Sequence, residues 1–272
     1  MRAAAPFVTR RQLGAGLTQL GLREGDVVMV HAGLRSVGPM LGGPDSLIGA
    51  VLDTLGPAGT LLVYTDWNGD YHDLLDATGR VPADWRNDVA PFEAASSRAI
   101  RDNGALAELV RTWPGALRSG NPGASCAAVG ARAAWLTADH ALDYGYGPTS
   151  PFAKLIEARG KVLMIGAPLD TMTLLHHAEH LAAVPGKRVI RHEVPLAVDG
   201  RTEWRTCEEF DTSRPVIDGL PEDYFATIVG EYLAIGQGAR GRVGNAESVL
   251  VPAAEIVAFA VGWIERWWRE RT

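Results

Sequence analysis

The residues best suited to chemistry stand together at His176-His177-Ala178-Glu179-His180. On a helix, His176, Glu179 and His180 share one face through the i, i+3 and i+4 relations. One reading is H-x-x-E-H, a zinc-peptidase signature with His176 and His180 as neutral ligands and Glu179 as general base. That reading needs a third ligand, and no other segment identifies one. The other reading is structural, with the histidines capped or solvated on a helix.

A second segment that invites chemistry is HAGLRSVG, His31 to Gly38. It leaves the end of DVVMVH, Asp26 to His31, a run that reads as a buried strand, and α/β proteins place ligands at the C-terminal ends of such strands. Its small residues allow close backbone approach, and Arg35 offers a forked donor to phosphate. It is neither a P-loop nor a G-x-G-x-x-G fingerprint, so the residues alone also fit an ordinary polar β–α loop.

The elements that must position these groups alternate between strand and helix. Thr9 and Gln12 form a capping box before Leu13, Leu17 and Leu20, and Gly21 stops that helix. After the strand at Asp26 to His31, the spacing predicts a helix over Asp45 to Leu55, then a strand over Thr60 to Thr65. Further strands are expected at SCAAVG, KVLMIGA and Ser248 to Val251. Helices are expected over Ala105 to Trp113, Thr171 to Val184, Pro221 to Ile235 and Ala253 to Arg269. VIRHEVPLAV and RTEWRTCEEF flank Asp199-Gly200, which reads as a hairpin with a type I′ turn. Between Asp66 and Asn103 the chain is polar and aromatic, a loop long enough to serve as a lid or binding loop. The expected fold is α/β: a central mixed, largely parallel sheet flanked by helices, with a β-hairpin and long loop insertions, all in one domain over residues 1–272.

Composition narrows the partners. Of 272 residues, 47% are hydrophobic and 21% charged, with a net charge of −6. This excludes a disordered, collagenous or coiled-coil chain and disfavours nucleic acid, which wants a basic face. An acidic balance suits a cationic small molecule better. Two cysteines, Cys126 and Cys207, imply no disulfide framework and fit a reducing compartment. No signal-peptide h-region is visible, and the longest apolar run, Ile256 to Ile264, is too short for a bilayer. A cytoplasmic location without a membrane partner is the expectation, as a monomer or homodimer.

Several segments carry a resemblance together. HAGLRSVGPMLGGPDSLIGAVLDTLGPAGTLLVYTDW, PFE at Pro91 to Glu93, LRSGNPGASCAAVG at Leu117 to Gly130 and GPTSP at Gly147 to Pro151 resemble the aminoglycoside 3-N-acetyltransferase family. So do GAPLDTMTLLHHAEHLAAVPGKR, Gly166 to Arg188, with EEFD at Glu208 to Asp211 and GRVGNAESVL at Gly241 to Leu250. The resemblance is collinear over nearly the whole chain. It implies transfer of the acetyl group of acetyl-coenzyme A to the 3-amino group of a 2-deoxystreptamine ring, which confers antibiotic resistance, on a fold distinct from the widespread small N-acetyltransferases.

The resemblance also implies roles. His31 and the loop with Leu34, Arg35, Ser36 and Val37 would receive the pyrophosphate and pantetheine of coenzyme A, and Ser119, Ser150 and Phe152 would line the same arm. His176 matches the catalytic histidine of an L-H-x-A-E pattern, Glu179 its glutamate, and Asp211 an acidic residue that orients the histidine. Trp67, Asp70, Tyr71, Glu93, Glu209 and Glu247 are candidate contacts for a cationic acceptor. No metal is expected, since the family pattern asks for no histidine at His180. One departure is Asn121, where relatives commonly have a histidine. The alternatives are an acyltransferase for another amine, the zinc peptidase, and a non-catalytic coenzyme A-binding protein.

Overall fold

A computed structural model describes residues 7–67 and 70–271, with the backbone but not the side chain of Asp70. In chain order the elements are α1 (Arg10–Leu20), β1 (Val27–Ala32), α2 (Asp45–Leu55), β2 (Thr60–Tyr64), α3 (Ala105–Arg111), β3 (Leu117–Arg118), β4 (Cys126–Gly130), α4 (Ala133–Thr137) and α5 (Pro151–Glu157). They continue with β5 (Lys161–Ile165), α6 (Leu175–Leu181), β6 (Val189–Val198), β7 (Arg201–Phe210), α7 (Tyr224–Ala234), β8 (Ala239–Val243), β9 (Ala246–Pro252) and α8 (Ala253–Arg269).

Seven strands form one sheet in the order β3-β4-β2-β1-β5-β9-β8. Parallel pairing is confined to its centre, where β1 lies between β2 and β5; the outer pairs are antiparallel. Both faces of the centre are covered, which is why those strands read as unbroken apolar runs. Alternate residues divide between two cores. Val28, Val30, Leu163 and Ile165 join Leu13 and Leu17 of α1 and Ile48 of α2, whereas Val27, Met29, Val162 and Met164 face Leu175 of α6, Ile228 of α7 and Ile256 of α8.

Local signals account for most element ends. The capping box of Thr9 and Gln12 forms, and Gly21 closes α1 in the left-handed conformation at φ 110°. Asp199 and Gly200 have φ of 48° and 73°, the two positive values that a type I′ turn requires. The hairpin β6–β7 stands apart as a two-stranded sheet. Its edge is covered by the long loop: Phe92 bridges Leu196, and the Glu193 N–H donates to the Gly79 carbonyl at 2.7 Å. Gly79, at φ 75°, leaves no room for a side chain, since a Cβ there would stand 2.1 Å from the Arg191 carbonyl oxygen.

The differences from expectation are local. The helix expected from Thr171 begins at Leu175, after a 3₁₀ turn over Leu169–Thr171. The short strands β3 and β8 and the short helices α4 and α5 carry too little periodicity to stand out in the sequence.

Candidate active site

Helix α6 places its three histidines in three environments. His176 is part-buried, with its ring 4.8 Å from that of Tyr146 and 4.9 Å from that of Phe225. Its Nδ1 lies 2.5 Å from Oε2 of Glu179, one helical turn on, and Glu179 is buried at 2% exposure. With Nδ1–H donated to the carboxylate, Nε2 keeps the lone pair that a base needs. The other carboxylate oxygen of Glu179 accepts a hydrogen bond from the Tyr224 hydroxyl at the start of α7. His177 is turned to the Tyr146 carbonyl at 2.6 Å, and His180 lies edge-on to Tyr144 and tilted against Phe210. His176 and Glu179 are thus committed to each other, and no group of three His, Cys, Asp or Glu among the described residues is arranged to hold a metal ion.

Two cavities meet near this histidine. The first, of about 320 Å³, lies under the hairpin and is lined by Asp66, Trp67, His72, Asn121, Tyr146, Ile190, His192, Glu209, Phe210 and Asp211, among others. Among the described residues its wall holds three carboxylates and no lysine or arginine. Burial lifts Asp66 to about 6 and Glu209 to about 7. Burial also lowers His72, to about 4, and His192, which leaves both rings neutral at pH 7. Glu209 is held by the backbone N–H groups of Gly145 and Phe210. Asp66 stands just past β2 at φ 48°, where half-buried Arg118 grips its carbonyl together with that of Ser97. Thr212 and Ser213 are shared with a smaller cavity onto which His176 and Glu179 open.

The second cavity, of about 230 Å³, follows the ends of β1 and β2. His31, Ala32, Gly33, Ala167, Pro168, Thr171 and Thr173 line it, and Tyr64 is common to it and the acidic cavity. The Tyr64 and Tyr146 hydroxyls are 2.8 Å apart at that junction. Leu34–Val37 forms a 3₁₀ turn that leaves Arg35 and Ser36 exposed. The turn sits tight on Gly166, whose Cβ, were there one, would meet the Ser36 Cβ at 2.5 Å.

Several expected contacts are redirected. Asp211 does not orient His176: it pairs with Arg188 at 3.2 Å and accepts from the Ser213 hydroxyl at 2.5 Å, because the end of β7 turns it to the acidic cavity. Ser119 is fully buried, bonded to the Cys126 N–H and to His140 Nδ1. Ser150 is the buried N-cap of α5, accepting from the Ala153 N–H. Phe152 and Val37 are fully buried core residues, and Leu34 packs on the same core as Val37.

Among the acceptor candidates, Trp67 and Glu209 line the acidic cavity, and Tyr71 lines a neighbouring one with Trp85. Glu93 instead ties a loop turn through Ser96 and Ser97, and exposed Glu247 pairs with Arg242 at the far sheet edge. The Asp70 side chain lies outside the described residues. Asn121 wedges the wall, donating to the Ala141 and Leu142 carbonyls and accepting from the Ala124 N–H. Sequence reading missed Asp66, His72, His192 and Tyr224. Only Asp66, just past a buried strand, carried a positional signal.

Because Ser150 acts as a cap, Ser150→Ala is expected to cost about 1 kcal/mol of stability with coenzyme A affinity unchanged. Denaturant unfolding and calorimetry check the two halves.

A histidine–carboxylate pair on an α/β sheet, beside a carboxylate-lined cavity and a second cavity at the strand ends, is an arrangement suited to proton transfer between two bound groups. The sequence profile of the aminoglycoside 3-N-acetyltransferase family matches residues 29–265. A curated relative, aminoglycoside N(3)-acetyltransferase III of Pseudomonas aeruginosa, is 46% identical over 94% of this chain and 93% of its own. The solved structure described as AAC-IIIb binary with CoASH superposes with a TM-score of 0.95 at 61% identity, covering 96% of this chain and 98% of that one. That of AAC-VIa bound to sisomicin gives 0.91 at 37%, covering 96% and 98%. The chain belongs to the aminoglycoside 3-N-acetyltransferase family.

Proposed function

We propose that this protein transfers the acetyl group of acetyl-coenzyme A to the 3-amino group of the 2-deoxystreptamine ring of aminoglycosides. The observation that carries the reading is the placement of His176, with Nδ1 committed to Glu179, next to a cavity walled by Asp66, Glu209 and Asp211. Relatives support both substrates, since AAC-IIIb is described with CoASH and AAC-VIa with sisomicin.

The chemistry follows from the charges. An ammonium is not a nucleophile, so the acceptor amine must lose a proton before or during attack on the thioester. His176 Nε2 takes that proton, and Glu179 stabilises the imidazolium through Nδ1–H. The neutral amine nitrogen bonds to the thioester carbonyl carbon; as the tetrahedral adduct collapses and the C–S bond breaks, the adduct nitrogen loses its second proton, one proton ends on the departing coenzyme A thiolate and the other is released to solvent. The carboxylates hold the remaining ammonium groups, and no covalent enzyme intermediate is needed. Cys126 and Cys207 are buried, and burial pushes both thiols up, so neither is a nucleophile.

Thiol release from acetyl-coenzyme A with a panel of amines tests the reading. Aminoglycosides with a free 3-amino group should react and 3-N-acetylated ones should not; release with neither would overturn it. Activity should survive a chelator. Loss that zinc alone restores would favour the peptidase reading instead.

Arg35 and Ser36, exposed on the turn after β1, are the groups we place against the pyrophosphate of coenzyme A. Ser36→Trp should therefore weaken coenzyme A binding at least about tenfold while the fold survives. Unchanged affinity by calorimetry would move the pyrophosphate elsewhere.

A further inference from the structure

We propose that Tyr224 is a positioning residue that tunes the basicity of His176 by competing with it for the Glu179 carboxylate. The inference rests on the reading of His176 as the general base. Tyr224 lies 45 positions beyond Glu179 in the chain, on a different helix, yet its hydroxyl donates to Glu179 Oε1 while His176 Nδ1 holds Oε2. The three groups form one chain from α7 through a buried carboxylate to the imidazole. Tyr224 is itself buried at 4% exposure, its ring 4.6 Å from that of Phe225 and 6.5 Å from that of Trp263. It is therefore a fixed donor rather than a mobile surface group.

Two donors on one carboxylate weaken each other, because each withdraws charge that the other would use. The Tyr224 hydroxyl thus moderates how strongly Glu179 favours the imidazolium. A base for an ammonium needs such moderation: if too weak it takes no proton, and if too strong it is already protonated at working pH. Burial pushes the Tyr224 phenol well up, so it remains a donor throughout the working range.

The other titratable groups facing His176 are independent of this contact. Asp170, Arg214 and Glu222 line the same cavity, Glu209 acts from β7, Tyr146 packs on the ring, and Lys187 faces Glu179. None of them is bonded to the Tyr224 hydroxyl. Its removal tests one hydrogen bond.

The experiment is an NMR titration of the His176 ring in the full-length protein without substrates, together with the pH profile of kcat/KM. Tyr224→Phe should raise the His176 midpoint by about half to one unit. The acid limb of kcat/KM should follow it upward by the same shift, with a loss at pH 7 of at most about three- to tenfold. Placing 3,5-difluorotyrosine at position 224, a stronger donor of nearly the same shape, should move both downward. An unmoved His176 midpoint in either folded variant overturns the proposal, and the fluorinated protein decides alone if the phenylalanine variant does not fold. The ring titration needs no turnover. Failure of every amine in the thiol-release assay would therefore refute the proposed reaction while leaving this result readable.

Discussion

Replacing His176 should lower the turnover number by about 100- to 10,000-fold, the range that positioned proton transfer supplies. His176→Ala leaves Glu179 without its imidazole partner though still bonded to the Tyr224 hydroxyl, and losing one hydrogen bond to a charged group costs about 1.5–3 kcal/mol. His176→Asn is the better test, because its amide can donate to Glu179 in place of Nδ1–H while offering no base. Both variants should lose turnover by the stated factor with coenzyme A affinity little changed, and the asparagine variant should keep most of the stability. A folded His176→Asn enzyme with near-normal turnover on a good aminoglycoside would remove His176 from the mechanism. Asp211→Asn provides the contrast. Since Asp211 pairs with Arg188 and Ser213, its loss should appear in acceptor KM and not in the pH profile of the base.

Glu209→Gln should reduce kcat/KM for the aminoglycoside about 10- to 100-fold, the worth of about 1.5–3 kcal/mol for a hydrogen bond to a charged group, with the KM for acetyl-coenzyme A unchanged. The same residue predicts a pH dependence. Burial raises Glu209 from its ordinary 4.5 to about 7, so with the acceptor absent it gains a proton as pH falls through that value. Acceptor affinity should therefore weaken below about pH 7 in the native enzyme and lose this component in the Gln variant.

Stability runs the other way. Between 4.5 and about 7 the folded chain holds a proton that the unfolded chain has released. Unfolding free energy should thus fall as pH rises across that window and level off above it. Calorimetric binding and urea unfolding at several pH values check both signs. An acceptor affinity that does not change between pH 5.5 and 8 would separate Glu209 from recognition. Raising the salt concentration should weaken acceptor association further, as expected where summed negative charge steers a polycation.

Much of the frame was legible in the residues because its causes are local. The unbroken apolar runs of β1 and β5 follow from a sheet covered on both faces, and the Thr9 capping box and the Asp199-Gly200 turn are decided within a few residues. The pairing of His176 with Glu179 is likewise a property of one helical turn, so the spacing alone placed imidazole and carboxylate together. The exposed Arg35 and Ser36 at a strand's end follow the same logic.

Partners distant in the chain were decided by packing. Ser119 and Ser150 have the chemistry to touch a ligand, but burial commits them to the Cys126 N–H and the start of α5. Asp211 has the charge to orient a histidine, yet the end of β7 delivers it to Arg188. The acidic cavity joins Asp66, past β2, with Glu209 and Asp211, at the end of a hairpin more than a hundred residues later. Tyr224 reaches Glu179 only because α7 docks beside α6. A sequence pattern specifies which face a side chain occupies on its own element. Which group it meets across an interface depends on how separate elements close over a common core, and that was settled only by the tertiary structure.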